Sequence, residues 1–380
     1  MMWSILKMYI GLVLLAIYVH GMIQEIEDAI KKNKWIEGIF KLDNGTRIGD
    51  GGFADVFKGV NMIDNSDVAM KFCWSVEKSK HEYEMYRYLD AINKPKVEKY
   101  GISPIYYFNR LAETTITVFS LFECDIWKMK SKVQFETIDC LILFRDFVRQ
   151  SKYVHSCGIR HDDIKPHNIM LRKGRSFLID FNGSSKMNET IEAGTVLFAS
   201  RRYDLKVGGI PLDDWESFLY TMARILDVNL AWFNLRLSEA IREEKENTNQ
   251  TIGQIEKDVK CEHLKEIMVK FAKEAFKKDD PLPRYNYFDE LITTKIDFMN
   301  KSNHSAVFSW LKDDALTAAL VDLKDNPPAT AEEIADPKVE FKANDYKKPD
   351  YEYFQKRKTK MAMEASFKKF ISKCIPGKKG

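Results

Sequence analysis

Apolar and polar positions change period several times along this chain, and each change marks an element. Ile23, Ile26, Ala29 and Ile30 recur among acids and lysines, the spacing of a short amphipathic helix over 22–34. Between Thr46 and Gly59 the pattern alternates on either side of Gly49, Gly51 and Gly52, which predicts a strand, a glycine-rich turn and a second strand through Val56 and Lys58. Residues 67–72 read as a third strand, with Lys71 set among Val68, Ala69, Met70 and Phe72. A helix over 77–89 carries Met85, Tyr88 and Leu89 on one stripe, and 102–108 and 114–122 alternate again as strands. The polar Glu123, Cys124 and Asp125 mark a crossing into a second, helical unit. Its first long helix is predicted over 135–156, where Ile138, Leu141, Ile142, Phe144, Phe147, Val148 and Val154 recur at three- and four-residue intervals.

The two ends of the chain depart from this pattern. Lys7 precedes an apolar run over 8–19 that is too short for an ordinary membrane span of about 20 residues. With Gly21 as a small residue at a cleavage point, 1–21 fit a secretory signal peptide. An uncleaved anchor, and a buried or mis-started N-terminus with Met22 as a start, are the other two readings. Residues 299–380 contain a stretch at 325–337 rich in Pro, Ala, Asp and Glu, which reads as a linker, and then a basic tail. Met361, Phe367, Phe370 and Ile371 interleave with the tail's lysines. That spacing suits either an amphipathic helix on a membrane or partner, or a solvated tail.

Composition narrows the class. With 45% hydrophobic residues over 380, the chain can bury a substantial core, and 59 basic against 56 acidic residues leave a net charge of +3, too small to argue for a nucleic-acid partner. The six cysteines are scattered singly, as core residues are, with no metal-ligand spacing. Asn-X-Ser/Thr sequons stand at Asn44, Asn182, Asn188, Asn249, Asn300 and Asn303. They suit a secretory lumen, or are chance occurrences, since a glycan at Asn44 or Asn182 would crowd the chemistry described next. A secretory or secreted location follows from the signal-peptide reading, a cytoplasmic one from its alternatives.

That chemistry centres on residues 161–168, His161-Asp162-Asp163-Ile164-Lys165-Pro166-His167-Asn168, and on Asp180 at the end of the apolar run 177–181. A buried run has no structural use for a terminal acid, whereas a magnesium nucleotide needs hard oxygen ligands on rigid backbone. Glycines 49, 51 and 52 let backbone approach phosphate oxygens. Lys71, about 20 residues on, is placed to reach phosphates, and either Glu82 or Glu84 could pair with it, Glu82 being the better placed.

In this order the parts resemble the eukaryotic protein kinase family over about residues 40–298: glycine loop, strand lysine, helix glutamate, Asp163-X-Lys165-Pro166-X-Asn168, then Asp180-Phe181. Within it, the chain looks most like the casein kinase 1, tau-tubulin and vaccinia-related kinase branch. The stretches that carry this are 194–200 (Gly-Thr-Val-Leu-Phe-Ala-Ser), 213–217 (Asp-Asp-Trp-Glu-Ser), Leu230-Ala231-Trp232 and 283–288 (Pro-Arg-Tyr-Asn-Tyr-Phe). The resemblance implies an α+β, two-lobed kinase fold. A small, mainly antiparallel β N-lobe (40–122) with one key helix would precede a larger, mainly α-helical C-lobe (123–298), behind an N-terminal segment 22–39.

It also implies roles. Ile48, Gly49, Gly51, Gly52, Val56, Ala69, Lys71, Ser120 and Leu121 would bind ATP, with Glu82 fixing Lys71. Asp163 would orient the substrate hydroxyl, Lys165 would neutralise the transferred phosphoryl, and Thr195 would contact both. Asn168 and Asp180 would hold Mg2+, or Mn2+ in its place, while Asp214 and His161 would brace the catalytic loop. Lys165 points to serine/threonine hydroxyls of protein substrates, and the enzyme is expected to be monomeric.

Three positions depart from the family pattern. Asp162 stands where the catalytic-loop arginine is usual, which removes the ordinary partner of a phosphorylated activation loop, so activation is expected not to need such phosphorylation. Asn182 replaces the glycine after Asp180-Phe181 and is expected to tolerate a left-handed backbone there. Ala54 replaces the third loop glycine. The alternative to an active kinase is therefore a weak or dead kinase-fold scaffold that binds nucleotide or partners. For substrate preference, Leu197 stands where casein kinase 1 has an arginine, and Arg201, Arg202 and Arg236 are either a replacement anion site or a solvated face.

Overall fold

The computed structural model describes residues 35–36, 39–50, 53–93, 97–111, 114–191, 193–203, 208–236, 238–277, 282–299, 307–311, 314–315, 317–319, 322 and 327–334. The helix predicted over 22–34, the apolar run 8–19, Gly51, Gly52 and the basic tail lie outside them. The described residues fall into two compact units, one containing residues up to 79 and 105–121, the other 80–104 and 122–341.

The first unit is a six-stranded antiparallel sheet: β1 (Trp35–Ile36), β2 (Phe40–Asp50), β3 (Ala54–Asn61), β4 (Ser66–Cys73), β5 (Ile105–Leu111) and β6 (Thr114–Ser120), in the order β1-β2-β3-β4-β6-β5. Period-two alternation decides which face is core. Phe57, Val68, Met70, Phe72, Ile116 and Val118 pack on one side with Phe40, Leu42 and Tyr107. Ala69 and Lys71 alternate onto the other face of β4, only half-buried. The strand expected to start at 102 begins at Ile105, because Ile102 bridges instead to Leu178 in the second unit.

In the second unit the predicted helix 77–89 extends as α1 (Val76–Asn93), of which residues from Lys80 on belong here. Cys124–Asp125 form the two-residue β7, followed by α2 (Ile126–Lys130) and the long α3 (Thr137–Ser156). α3 starts where Asp139 accepts the Glu136 N–H at 2.8 Å, a reciprocal cap at the helix N-terminus. It buries most of its residues, the polar Asp139, Asp146, Gln150, Lys152 and His155 among them, beyond the apolar stripe that predicted it. β8 (Ile159–Arg160) pairs with β11 (Ser185–Lys186), and β9 (Ile169–Arg172) with β10 (Arg175–Leu178). The rest is helical: α4 (Pro211–Ile225), α5 (Ser238–Glu246), α6 (Thr248–Asp258), α7 (Glu262–Ala275) and α8 (Tyr285–Met299).

Aromatic stacking fixes how these helices meet. Trp215 of α4 stacks on Phe271 of α7 at 4.3 Å between centroids, and Phe147 of α3 stacks on Phe218 of α4 at 3.9 Å. Such rings contribute beyond their buried area. Among the described residues no helix is long and apolar enough to cross a membrane.

Candidate active site

The loop between β8 and β9 is built around one buried carboxylate. Asp214, on the first turn of α4, accepts the backbone N–H groups of His161 (2.8 Å) and Asp162 (2.9 Å) and faces His155 Nε2 at 2.9 Å. The other nitrogen of His155 meets the Tyr285 hydroxyl at 2.6 Å. Burial alone would raise the Asp214 carboxyl, but the bonds from His155 and the loop hold it below the ordinary carboxylate range. Two satisfied backbone donors let Asp162 take φ 63°, a left-handed turn that aspartate tolerates, and that turn reverses the chain into Asp163.

Downstream of the turn four side chains converge. Lys165 Nζ donates to Asp163 Oδ2 at 2.6 Å and to Thr195 Oγ1 at 3.1 Å, and Thr195 Oγ1 donates to Asp163 Oδ1 at 2.9 Å. Asn168 Nδ2 donates to the Asp163 carbonyl at 2.9 Å and to its carboxylate at 3.3 Å. Thr195 reaches the loop because Gly194 precedes it at φ 146°, where a Cβ would lie 3.1 Å from the Asp162 carbonyl. The cluster presents one carboxylate flanked by an ammonium, which can orient a hydroxyl and shield negative charge beside it.

Asp180 follows β10 at φ 67°, and residues 181–183 form a 3-10 turn. The left-handed position is therefore Asp180, and not Asn182 as the sequence suggested. The turn continues in helical geometry after Asp180, so position 182 has no need of glycine. Phe181 is fully buried, its ring 4.5 Å from His161 and 5.0 Å from Tyr86 on α1. Burial, then the Glu82 and Asp180 carboxylates, raise the Tyr86 phenol well above its ordinary range, which marks all three as neighbours. Glu82 itself is 1% exposed.

Among the described residues no group of three or more His, Cys, Asp or Glu side chains converges on a cation. A nucleotide-borne Mg2+ needs fewer protein ligands, because phosphates and water complete its shell. Asn168 spends its amide nitrogen on Asp163, which leaves Oδ1 as a hard oxygen, and Asp180 adds a carboxylate. This donor set fits such an ion.

Asp162 and Arg160 were not recognisable as a unit in the sequence. Arg160 is fully buried and pairs with Asp162 through Nε–Oδ1 at 2.9 Å and Nη2–Oδ2 at 3.1 Å. Its remaining N–H groups donate to Ser185 Oγ (2.6 Å) and to the carbonyls of Lys186 (2.8 Å), Glu189 (3.0 Å) and Gly209 (2.8 Å). Ser185 Oγ also bonds Asp162. Burial raises the Asp162 carboxyl, against the opposing pull of the Arg160 guanidinium. The departure at 162 is thus a charge compensated two residues upstream, and the pair ties the catalytic loop to both ends of the segment 185–209.

That segment has further anchors. Arg201 forms a salt bridge with Glu216 at 3.1 Å, and Arg202 donates to the Gly208 carbonyl at 2.6 Å. Arg201 is thus held by Glu216 and Arg202 only in part, its Nε lacking a hydrogen-bond partner, while the exposed Arg236 is unengaged among the described residues. Lys245 of α5 is 2% exposed and donates to the carbonyls of Val196 and Ala199, each at 2.7 Å.

In the sheet unit, Val56 and Lys71 are directly opposite in register, and Ala69 lies two residues from Lys71, so all three share the face away from the core. Gly49 is opposite Val56. Ser120 is 2% exposed and bonds Tyr106 at 2.7 Å, so its side chain is occupied and its backbone is what remains to offer. Ile48 precedes Gly49 on β2, and Leu121 follows β6.

Comparison with known proteins bears on the fold. Residues 42–204 match the protein kinase domain family. Vaccinia related kinase 3 has a similar structure at a TM-score of 0.57 and 12% identity, over 69% of this chain and 88% of that one. At that identity the likeness speaks to fold alone. The chain has the two-lobed α+β protein kinase fold, and its residues 42–204 match the protein kinase domain family.

Proposed function

We propose that this protein is a serine/threonine kinase of the casein kinase 1 and vaccinia-related type that transfers the γ-phosphoryl of Mg-ATP to hydroxyls of protein substrates. The observation that carries the reading is the Asp163, Lys165 and Thr195 cluster, all within hydrogen-bond reach of one another. In this reading Asp163 orients the acceptor hydroxyl and takes its proton as the bond to phosphorus forms. Lys165 shields the charge on the transferred group. Asn168 and Asp180 would hold Mg2+, which supplies charge neutralisation at the phosphates, and Lys71 would hold the nucleotide. Positioning and charge account for most of the rate in such transfers.

The internal pairing of Asp162 with Arg160 supports activity without phosphorylation of the segment 185–209, since the contacts that a phosphate would recruit are already made. The test is phosphoryl transfer from Mg-ATP to mixed peptides with Ser, Thr or Tyr acceptors, using residues 22–380. Transfer to Ser and Thr but not Tyr is expected, with a loss of about 10²- to 10⁴-fold on Asp163→Asn. Transfer no greater than that of Asp180→Ala, despite nucleotide binding, would establish the scaffold reading instead.

A further inference from the structure

The segment 327–334, which composition reads as a linker, is folded against the second unit. Ala331 is 0%, Ala329 2% and Ile334 4% exposed. Its backbone is tied at three points: the Ala329 N–H donates to the Lys99 carbonyl at 3.3 Å, the Ala331 N–H to Asp289 Oδ2 at 3.0 Å, and the Ala331 carbonyl accepts from Lys152 Nζ at 2.8 Å. The partners on the helices are themselves fixed. Lys152 is 2% exposed and also donates to Asn286 at 2.9 Å, while Asp289 accepts from Arg149 at 2.7 Å. Alanines suit this path because no side chain stands between the strap's backbone and α3 or α8.

What the strap touches is the loop 97–103, which joins the Glu82 helix α1 to β5. From the other side that loop is held by β10: the Leu178 N–H donates to the Gly101 carbonyl at 2.9 Å, and the Ser103 N–H donates to the Leu178 carbonyl at 3.2 Å. Arg175 Nη2 reaches the carbonyls of Glu98 and Lys99, each at 3.1 Å. Tyr100 stacks on Tyr153 at 4.0 Å between centroids, and the Tyr153 hydroxyl donates to the Leu89 carbonyl at 2.8 Å, on α1 itself. The loop therefore sits between the helix that carries Glu82 and the strand that leads to Asp180, with the strap as its outer clamp.

We infer that residues 327–334 are a positioning element of the kinase, an internal strap that holds the loop 97–103 and through it keeps the Glu82 helix in register with the Asp180 strand. The inference rests on the kinase reading above and adds to it a part of the chain beyond the matched domain. A strap of this kind acts on nucleotide handling and leaves acceptor binding alone, since none of its partners lies on the segment 185–209.

The test uses the full chain with Ala331→Glu, which sets a second carboxylate against Asp289. Ser309→Ala serves as control, because Ser309 ties a different part of the same extension to Asp139 at 2.7 Å. Hydrogen exchange at 97–103 and steady-state kinetics are read together. In Ala331→Glu, exchange at 97–103 is expected to quicken about tenfold and the KM for Mg-ATP to rise about fivefold, with acceptor KM within about twofold of wild type. Ser309→Ala should change neither. Release of 327–334 without faster exchange at 97–103, or an unchanged KM for Mg-ATP, overturns the inference. Should Ala331→Glu not fold, Ala329→Pro, which removes the N–H donated to Lys99 and fixes φ there, is read the same way. If wild type transfers no phosphoryl group at all, the kinase reading fails, and exchange together with Mg-ATP affinity decides the role of the strap.

Discussion

Arg160 spends every N–H it has inside the protein, on Asp162, Ser185 and three carbonyls. A guanidinium buried this fully is tolerable only because each donor has an acceptor and Asp162 neutralises the charge. Removing one partner leaves the other charged and unpaired. Arg160→Met is therefore expected to cost about 3–5 kcal/mol of stability by denaturant titration. The double variant Arg160→Met with Asp162→Asn, which removes the charge and keeps a residue that tolerates φ 63°, should recover part of that loss; a double variant as unstable as the single one would show that the carbonyl contacts, and not the charge pair, dominate. The same residue shows a limit of reading from sequence. Asp162 stood out because its neighbours belong to a local motif. Its compensation came from a guanidinium whose other partners lie 25 to 49 positions away, a distance over which no periodic pattern carries information.

At the scale of elements, α5 is nine residues long, yet its Lys245 fixes two carbonyls of the stretch that begins at Thr195. Lys245→Met would leave both carbonyls buried without a donor. The acceptor KM is expected to rise about tenfold while the KM for Mg-ATP stays unchanged, checked by varying each substrate in turn. Equal changes in both would mean that α5 supports the whole fold and not this stretch. The elements themselves were legible to different degrees. α3 was readable because its apolar residues recur over many turns, and β4 because Val68, Met70 and Phe72 alternate with Ala69 and Lys71. The strap was not, since Pro327-Pro328-Ala329-Thr330-Ala331 has no large side chain to report its burial, and it is its backbone that makes the contacts. Tyr285, which backs His155, lay inside a stretch noted only for its family resemblance.

For the molecule as a whole, the acid limb of stability should trace to Asp214. Its carboxyl lies below its ordinary value near 3.8 when folded. Such a group contributes stability that is present above that value and is lost as pH falls through the folded-state value. Chemical denaturation from pH 4 downward should show this decline, below the range in which the Asp162 and Asp213 carboxyls, raised by burial to about 7 and about 6, act in the opposite sense, and Asp214→Asn should flatten it while lowering stability at neutral pH. An unchanged acid limb in that variant would assign it to other carboxylates.

The segment between Ser185 and Gly209 is a loop fastened at its neck, because Arg160 grips both ends at once. Closing such a loop costs free energy that grows only with the logarithm of its length, about 0.6 kcal/mol for each doubling. Insertions are therefore cheap only between its anchored residues, away from Thr195, Val196, Ala199 and Arg201, whereas changes at the neck disturb the loop 161–168 directly. A lineage built on this arrangement can lengthen or vary the unanchored parts of that segment while the loop 161–168 stays as it was.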